Sequence, residues 1–150
     1  MRLYADSSKF TGCGKCLIAC SLNLFHEINP NKAALIVDAD YPLPNIYHLR
    51  VCTQCGDCAG VCPSGAIKLN TRGAHFGEFS ECHLCNSCAP ECPRSVMFVH
   101  PELSPNAWKC DLCGDCVRVC EFDALFIAET DPIDPQLARN VEGTAKTGEW

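Results

Sequence analysis

Short apolar runs bounded by turn-forming residues recur along the chain: AIKL after Pro63-Ser64-Gly65, VMFV after Pro93-Arg94-Ser95, and ALFI after Glu121-Phe122-Asp123. Runs of this length, flanked by Pro, Gly, Ser and Asp, predict strands. Each stands at the same offset from an upstream segment of like composition, which marks an internal repeat. The three residues ahead of Cys62, Cys92 and Cys120 predict the start of a short helix, so one unit reads as loop, helical turn, strand. Glu78 to Ser80 and Ala107 to Lys109 are the expected opposing strands. Between the first two units, from Asn29 to Arg50, apolar runs at Ala33 to Val37 and Ile46 to Val51 flank YPLPN, where Pro42 and Pro44 force an extended turn; this predicts a hairpin or arm over the core. From Glu129 to Trp150 the pattern lapses into Asp131-Pro132, Asp134-Pro135 and small polar residues. Such a tail does not fold alone. It reads as a frayed end or as a strap on a partner subunit with Trp150 as its anchor. The expected division is a domain over 1–128 and an extended tail over 129–150.

Cysteine changes this picture most. The 150 residues include 15 cysteines in four blocks, three of which follow C-x-x-C-x-x-C-x-x-x-C: Cys52, Cys55, Cys58, Cys62; Cys82, Cys85, Cys88, Cys92; and Cys110, Cys113, Cys116, Cys120. The first block has Cys13, Cys16 and Cys20, and the register that calls for a cysteine at position 10 finds Phe10, whose ring binds no iron. Three closely spaced thiolates with a fourth that reaches a different site is the pattern of iron–sulfur ligation. Apolar residues are 47% of the chain, and setting the cysteines aside leaves about 55, roughly 37%, below the usual share. The core is therefore thin, and metals or cross-links must add cohesion.

Disulfides and zinc are the rival uses of cysteine. MRLYADSSKF has no apolar run of the signal-peptide kind, no run approaches membrane-spanning length, and an odd cysteine count at tight, identical intervals does not suit a disulfide framework. Zinc ribbons pair a C-x-x-C with a distant partner and do not use three cysteines in series. Of the five histidines only His83 lies inside a block, where it reads as a surface side chain rather than a ligand.

The formal net charge of −6 disfavours nucleic acid and anionic membranes, and favours basic patches on protein partners. The chain contains no nucleophile–base pair, phosphate loop or dinucleotide fingerprint, so substrate chemistry is expected to take place elsewhere. Prolines follow Cys62 and Cys92, whereas Ser21 follows Cys20 and Glu121 follows Cys120. Cys-Pro is the mark of the two-cluster ferredoxin run, so the prolines sort the blocks into an inner and an outer pair. Gly14, Gly56 and Gly114 beside the ligands are expected to admit close backbone approach.

These residues, with the opening YADSSKFTGCGKCLIACSLNLFHEINP, resemble the four-motif polyferredoxin electron-transfer subunits of molybdenum and tungsten oxidoreductases over roughly residues 1–128. The opening looks most like the shorter branch found with tungsten aldehyde oxidoreductases and with carbon monoxide dehydrogenase. The resemblance implies an α+β fold of two intertwined bacterial-ferredoxin-like modules, the outer from blocks one and four and the inner from blocks two and three. It also implies four clusters. Three are [4Fe-4S], held by Cys52, Cys55, Cys58 and Cys92; by Cys82, Cys85, Cys88 and Cys62; and by Cys110, Cys113, Cys116 and Cys20. The fourth has Cys13, Cys16 and Cys120 with Phe10 at the missing position, and is either a [3Fe-4S] cluster or a [4Fe-4S] cluster with water or an oxygen of Asp6, Ser7, Ser8 or Thr11. The implied role is a cytoplasmic, non-catalytic carrier of anaerobic metabolism. Its partners are a larger catalytic subunit and a flavin or ferredoxin-type acceptor, with no membrane insertion. A freely diffusing ferredoxin and a cluster-based sensor or structural module are the alternatives.

Overall fold

Each cysteine loop turns through two left-handed residues, one on either side of the block's second cysteine position. They are Gly12 and Gly14, Gln54 and Gly56, Leu84 and Asn86, and Leu112 and Gly114, all with φ between 57° and 94°. A third follows three residues after the last cysteine of the complete blocks, at Gly65, Ser95 and Asp123. Left-handed backbone at Gln54, Leu84 and Leu112 costs about 1–2 kcal/mol each, strain of the kind held at functional sites. The first block keeps the pair although its leading cysteine is absent. The repeat read from cysteine spacing is thus a repeat of backbone conformation.

The computed structural model describes residues 1–39 and 46–129; the turn expected at Pro42 and Pro44, and the tail beyond residue 129 with Trp150, lie outside these residues. Gly14, Gly56 and Gly114 are the left-handed N-caps of α1 (Lys15–Phe25), α2 (Asp57–Gly60) and α3 (Asp115–Arg118). In these helices the first full-turn bonds run from the backbone N–H groups of Ile18, Gly60 and Arg118 to the glycine carbonyls. The equivalent position in the third block is Pro90, which has no N–H, and the helix expected there is only a turn. Free of such an interruption, α1 runs to Phe25 and ends at His26 in the left-handed region.

Among the described residues three two-stranded antiparallel sheets frame the loops. β1 (Arg2–Ala5) pairs with β6 (Leu125–Ala128), β2 (Ile36–Ala39) with β3 (Tyr47–Arg50), and β4 (Ile67–Leu69) with β5 (His75–Gly77). The arm between the first two blocks is therefore a hairpin. Two expectations need correction. The strand opposing β4 is His75–Gly77 rather than Glu78 to Ser80, because Phe79–Glu81 turns into a 3-10 helix after one more bond, Glu78 N–H to Ala66 C=O. The run after the third block forms a single bridge, Phe98 to Trp108, instead of a strand. That ladder is stopped on both sides: the Val96 N–H turns to Cys92 Sγ, and the His100 carbonyl takes the N–H groups of Leu103 and Ser104.

The core is small and partly made of cysteine. Trp108, Leu3, Leu125, Val51 and Val96 are fully buried, and Cys16, Cys20, Cys52, Cys110 and Cys116 share the same apolar cluster. Trp108 stacks on Phe98 and meets Phe25 edge-on. With α1 packed against α3 and β1 paired with β6, the first and fourth blocks lie side by side. The architecture is α+β.

Candidate metal centres

Two hollows open between the loops, and cysteines from two different blocks line each of them. One, with about 520 Å³ of atom-free space including its mouth, takes Cys82, Cys85 and Cys88 from the third block and Cys62 from the second. The other, about 340 Å³, takes Cys110, Cys113 and Cys116 from the fourth block and Cys20 from the first. The remaining cysteines associate by their electrostatics. Cys92 adds to the rise of the buried Cys52 thiol, and the Arg94 guanidinium feels Cys52, Cys92 and Cys55. Burial pushes the Cys16 thiol up to about 11, with Cys13 and Cys120 adding to it. The structure thus brings eight of the fifteen cysteines together at these two hollows, each time three from one block and one from another.

Burial dominates most of these thiols. It drives Cys20 and Cys116 up to about 12, Cys88 and Cys113 to about 11, and Cys110 well above the ordinary thiol value. Neighbouring sulfurs raise Cys20, Cys88, Cys110 and Cys116 further, and the Asp111 carboxylate raises Cys20 and Cys113. Donors work in the opposite sense. Ala34 N–H reaches Cys20 Sγ at 3.1 Å, Leu112 N–H reaches Cys110 Sγ at 3.4 Å, and Val96 N–H reaches Cys92 Sγ at 3.4 Å. The Ser64 and Ser87 hydroxyls lower Cys62 and Cys85. Converging thiols, most of them kept protonated by burial and several faced by N–H or O–H donors, suit a cationic iron–sulfur core that displaces their protons and whose sulfurs accept those donors. No three His, Cys, Asp or Glu side chains among the described residues converge on a single ion position.

At the incomplete block, Phe10 is buried in the apolar cluster, edge-on to Tyr47 at 5.7 Å. The Tyr47 ring also lies where a side chain on Gly12 would stand, 2.7 Å from a Cβ there. Of the expected oxygen donors, Asp6 is engaged by the N–H and hydroxyl of Ser8 and by Lys9, and the Ser7 hydroxyl accepts from Leu49 N–H. Ser8 and Thr11 are exposed, as is His83 on the rim of the larger hollow.

Several residues that cysteine spacing does not reveal complete the sites. The buried Gln54 donates to the Cys110 carbonyl at 2.9 Å and accepts from His75 N–H at 3.0 Å, tying the second loop to the fourth. Arg94 donates to the Val51 carbonyl. Asp111 is held by Arg72 and Asn23. Lys109 is buried with its ammonium 3.4 Å from Cys58 Sγ. A lysine in the apolar stretch AWKC is the one visible cue among these.

Residues 10–67 match the 4Fe-4S dicluster domain family. The electron transport protein HydN of Escherichia coli is 30% identical over 95% of this chain and 96% of its own length. The polyferredoxin-like subunit of the aliphatic sulfonate oxidoreductase of Pyrococcus furiosus is 33% identical, over 79% of this chain and 72% of its own. The B subunit of the anaerobic dimethyl sulfoxide reductase of Escherichia coli is 29% identical over 87% and 74%. With cysteine sets of this kind and relatives matched over most of their length, the chain belongs to the family of iron–sulfur electron-transfer subunits, carriers rather than catalytic chains.

Proposed function

We propose that the chain relays single electrons through four iron–sulfur clusters between a catalytic oxidoreductase subunit and an external acceptor. The observation that carries this reading is the make-up of the two hollows: three cysteines of one block meet the last cysteine of its partner block in each. By the same logic Cys52, Cys55 and Cys58 take Cys92, and Cys13 and Cys16 take Cys120. These sets correspond to an inner and an outer module within residues 1–128. When bound, a cluster takes up and gives back one electron at a time.

The chain's own residues do the rest. The thiols release their protons on loading, backbone N–H groups hold charge on the sulfurs, and the apolar cluster around Trp108 excludes water from the Cys20 and Cys110 side. At the first block, the buried Phe10 and the engaged Asp6 and Ser7 favour a three-iron cluster or a cube closed by water. A tungsten aldehyde oxidoreductase is the proposed partner, on the resemblance of the opening segment. The relatives named as reductase or oxidoreductase subunits support the class of partner. A second reading, a freely diffusing cytoplasmic ferredoxin, is favoured by HydN, whose name is that of a transport protein alone. Among the described residues no helix is long and apolar enough to cross a membrane.

Anaerobic purification with iron, sulfide and tungsten analysis tests both. Co-elution with a larger subunit and about sixteen irons, or about fifteen with a three-iron electron paramagnetic resonance signal, is the expected result. Colourless, iron-free protein that stays folded overturns the cluster reading, and elution alone selects the diffusing carrier.

A further inference from the structure

Lys109 is 4% exposed, and its ammonium lies 3.4 Å from Cys58 Sγ. Cys52 faces it as well, and the same side chain lines the hollow of Cys62, Cys82, Cys85 and Cys88. It stands between the two inner cysteine sets. A buried ammonium costs several kcal/mol unless an anion answers it. Among the described residues no carboxylate pairs with Lys109, so sulfur is its counter-charge. Arg94, half-buried, adds a second cation facing Cys52, Cys55 and Cys92. The outer set has the opposite neighbour: Asp111, flanked by Cys110 and within reach of Cys20 and Cys113.

Resting on the proposed four-cluster reading, we propose that Lys109 sets the chain's potential order, its ammonium raising the reduction potentials of the two inner clusters so that an electron entering the chain settles there. A fixed positive charge and an N–H donor at a thiolate both favour the more negative, reduced state, and a low-polarity interior strengthens the effect. Electron flow through the chain then depends on a side chain that binds no iron.

The test is a potentiometric titration followed by electron paramagnetic resonance, on the anaerobically purified full chain and on Lys109→Met, Lys109→Gln and Lys109→Arg. In the Met and Gln variants two of the couples are expected to need a potential lower by about 59 mV for each tenfold loss in the reduced-to-oxidised ratio, with about tenfold expected. The other couples should move far less, and Arg should retain the wild-type order. With iron content equal to wild type, couples that stay in place, or that all shift together, overturn the proposal while leaving the cluster reading intact. Failure of both neutral variants to take up iron gives Lys109 a structural role instead and also overturns it. Absence of iron from the wild-type protein would instead be a failure of the four-cluster reading itself.

Discussion

The two hollows repeat one loop in unlike surroundings. At the Cys20, Cys110, Cys113 and Cys116 hollow the sulfurs sink into the apolar cluster, Asp111 stands by, and burial drives two thiols up to about 12. At the Cys62, Cys82, Cys85 and Cys88 hollow the loop is mostly exposed, burial raises Cys88 to about 11 while hydroxyls of Ser64 and Ser87 pull two other thiols down, and Lys109 replaces the acid. The left-handed residues are the same in both. Spacing and backbone conformation therefore make a cysteine set, while burial and neighbouring charge make one set differ from the other.

The sharpest way to break this contrast is to remove one thiol from each hollow. Cys20→Ala should lose the iron of one cluster and destabilise the packing of α1 on α3 by roughly 3 kcal/mol or more, while Cys85→Ala should lose as much iron with a smaller drop in melting temperature. Iron-to-protein ratios and circular dichroism melts report both, and equal drops would erase the distinction. Phe10→Cys offers a fourth thiolate to a loop that already has the left-handed pair at Gly12 and Gly14, so it should add about one iron and abolish any three-iron signal.

The pH dependence of loading sharpens the same comparison. A thiol lowered by its neighbours remains a thiolate to lower pH, and a thiol raised by burial must be deprotonated against its environment. When the pH of reconstitution is lowered, the Cys62 and Cys85 hollow, where burial raises Cys88 to about 11, should go on taking iron after the Cys20 and Cys116 hollow, where two thiols are raised to about 12, has stopped. Iron uptake by iron-free protein across a pH series checks the order. The smallest effect belongs to Leu84, which is exposed and left-handed with φ 57°. Leu84→Gly should stabilise the protein by about 1 kcal/mol, read from a denaturant midpoint.

The repeated loop was legible because cysteine spacing leaves a direct trace, and the hairpin and two of the three strands after the blocks were legible from short apolar runs between turn formers. The third strand was not, because its loss depends on where two backbone groups go: the Val96 N–H to a sulfur and the His100 carbonyl to a local turn. The missing helix of the third block was within reach, since Pro90 occupies the position whose N–H closes the first turn elsewhere. For Gln54, Arg94 and Lys109 it was the partner that was hidden, although the lysine in AWKC is itself conspicuous. Cys110, Val51 and Cys58 lie 43 to 56 residues away in the chain, and no local pattern encodes such meetings.

Pairing of β1 with β6 joins Ala5 to Leu125, nearly the whole described length apart. Closing so large a ring is entropically slow compared with forming the β4–β5 hairpin. During synthesis β1 must wait for β6 to emerge from the ribosome, so the segments between them have time to fold first and the pairing of the two strands is the last of the three described sheets to close.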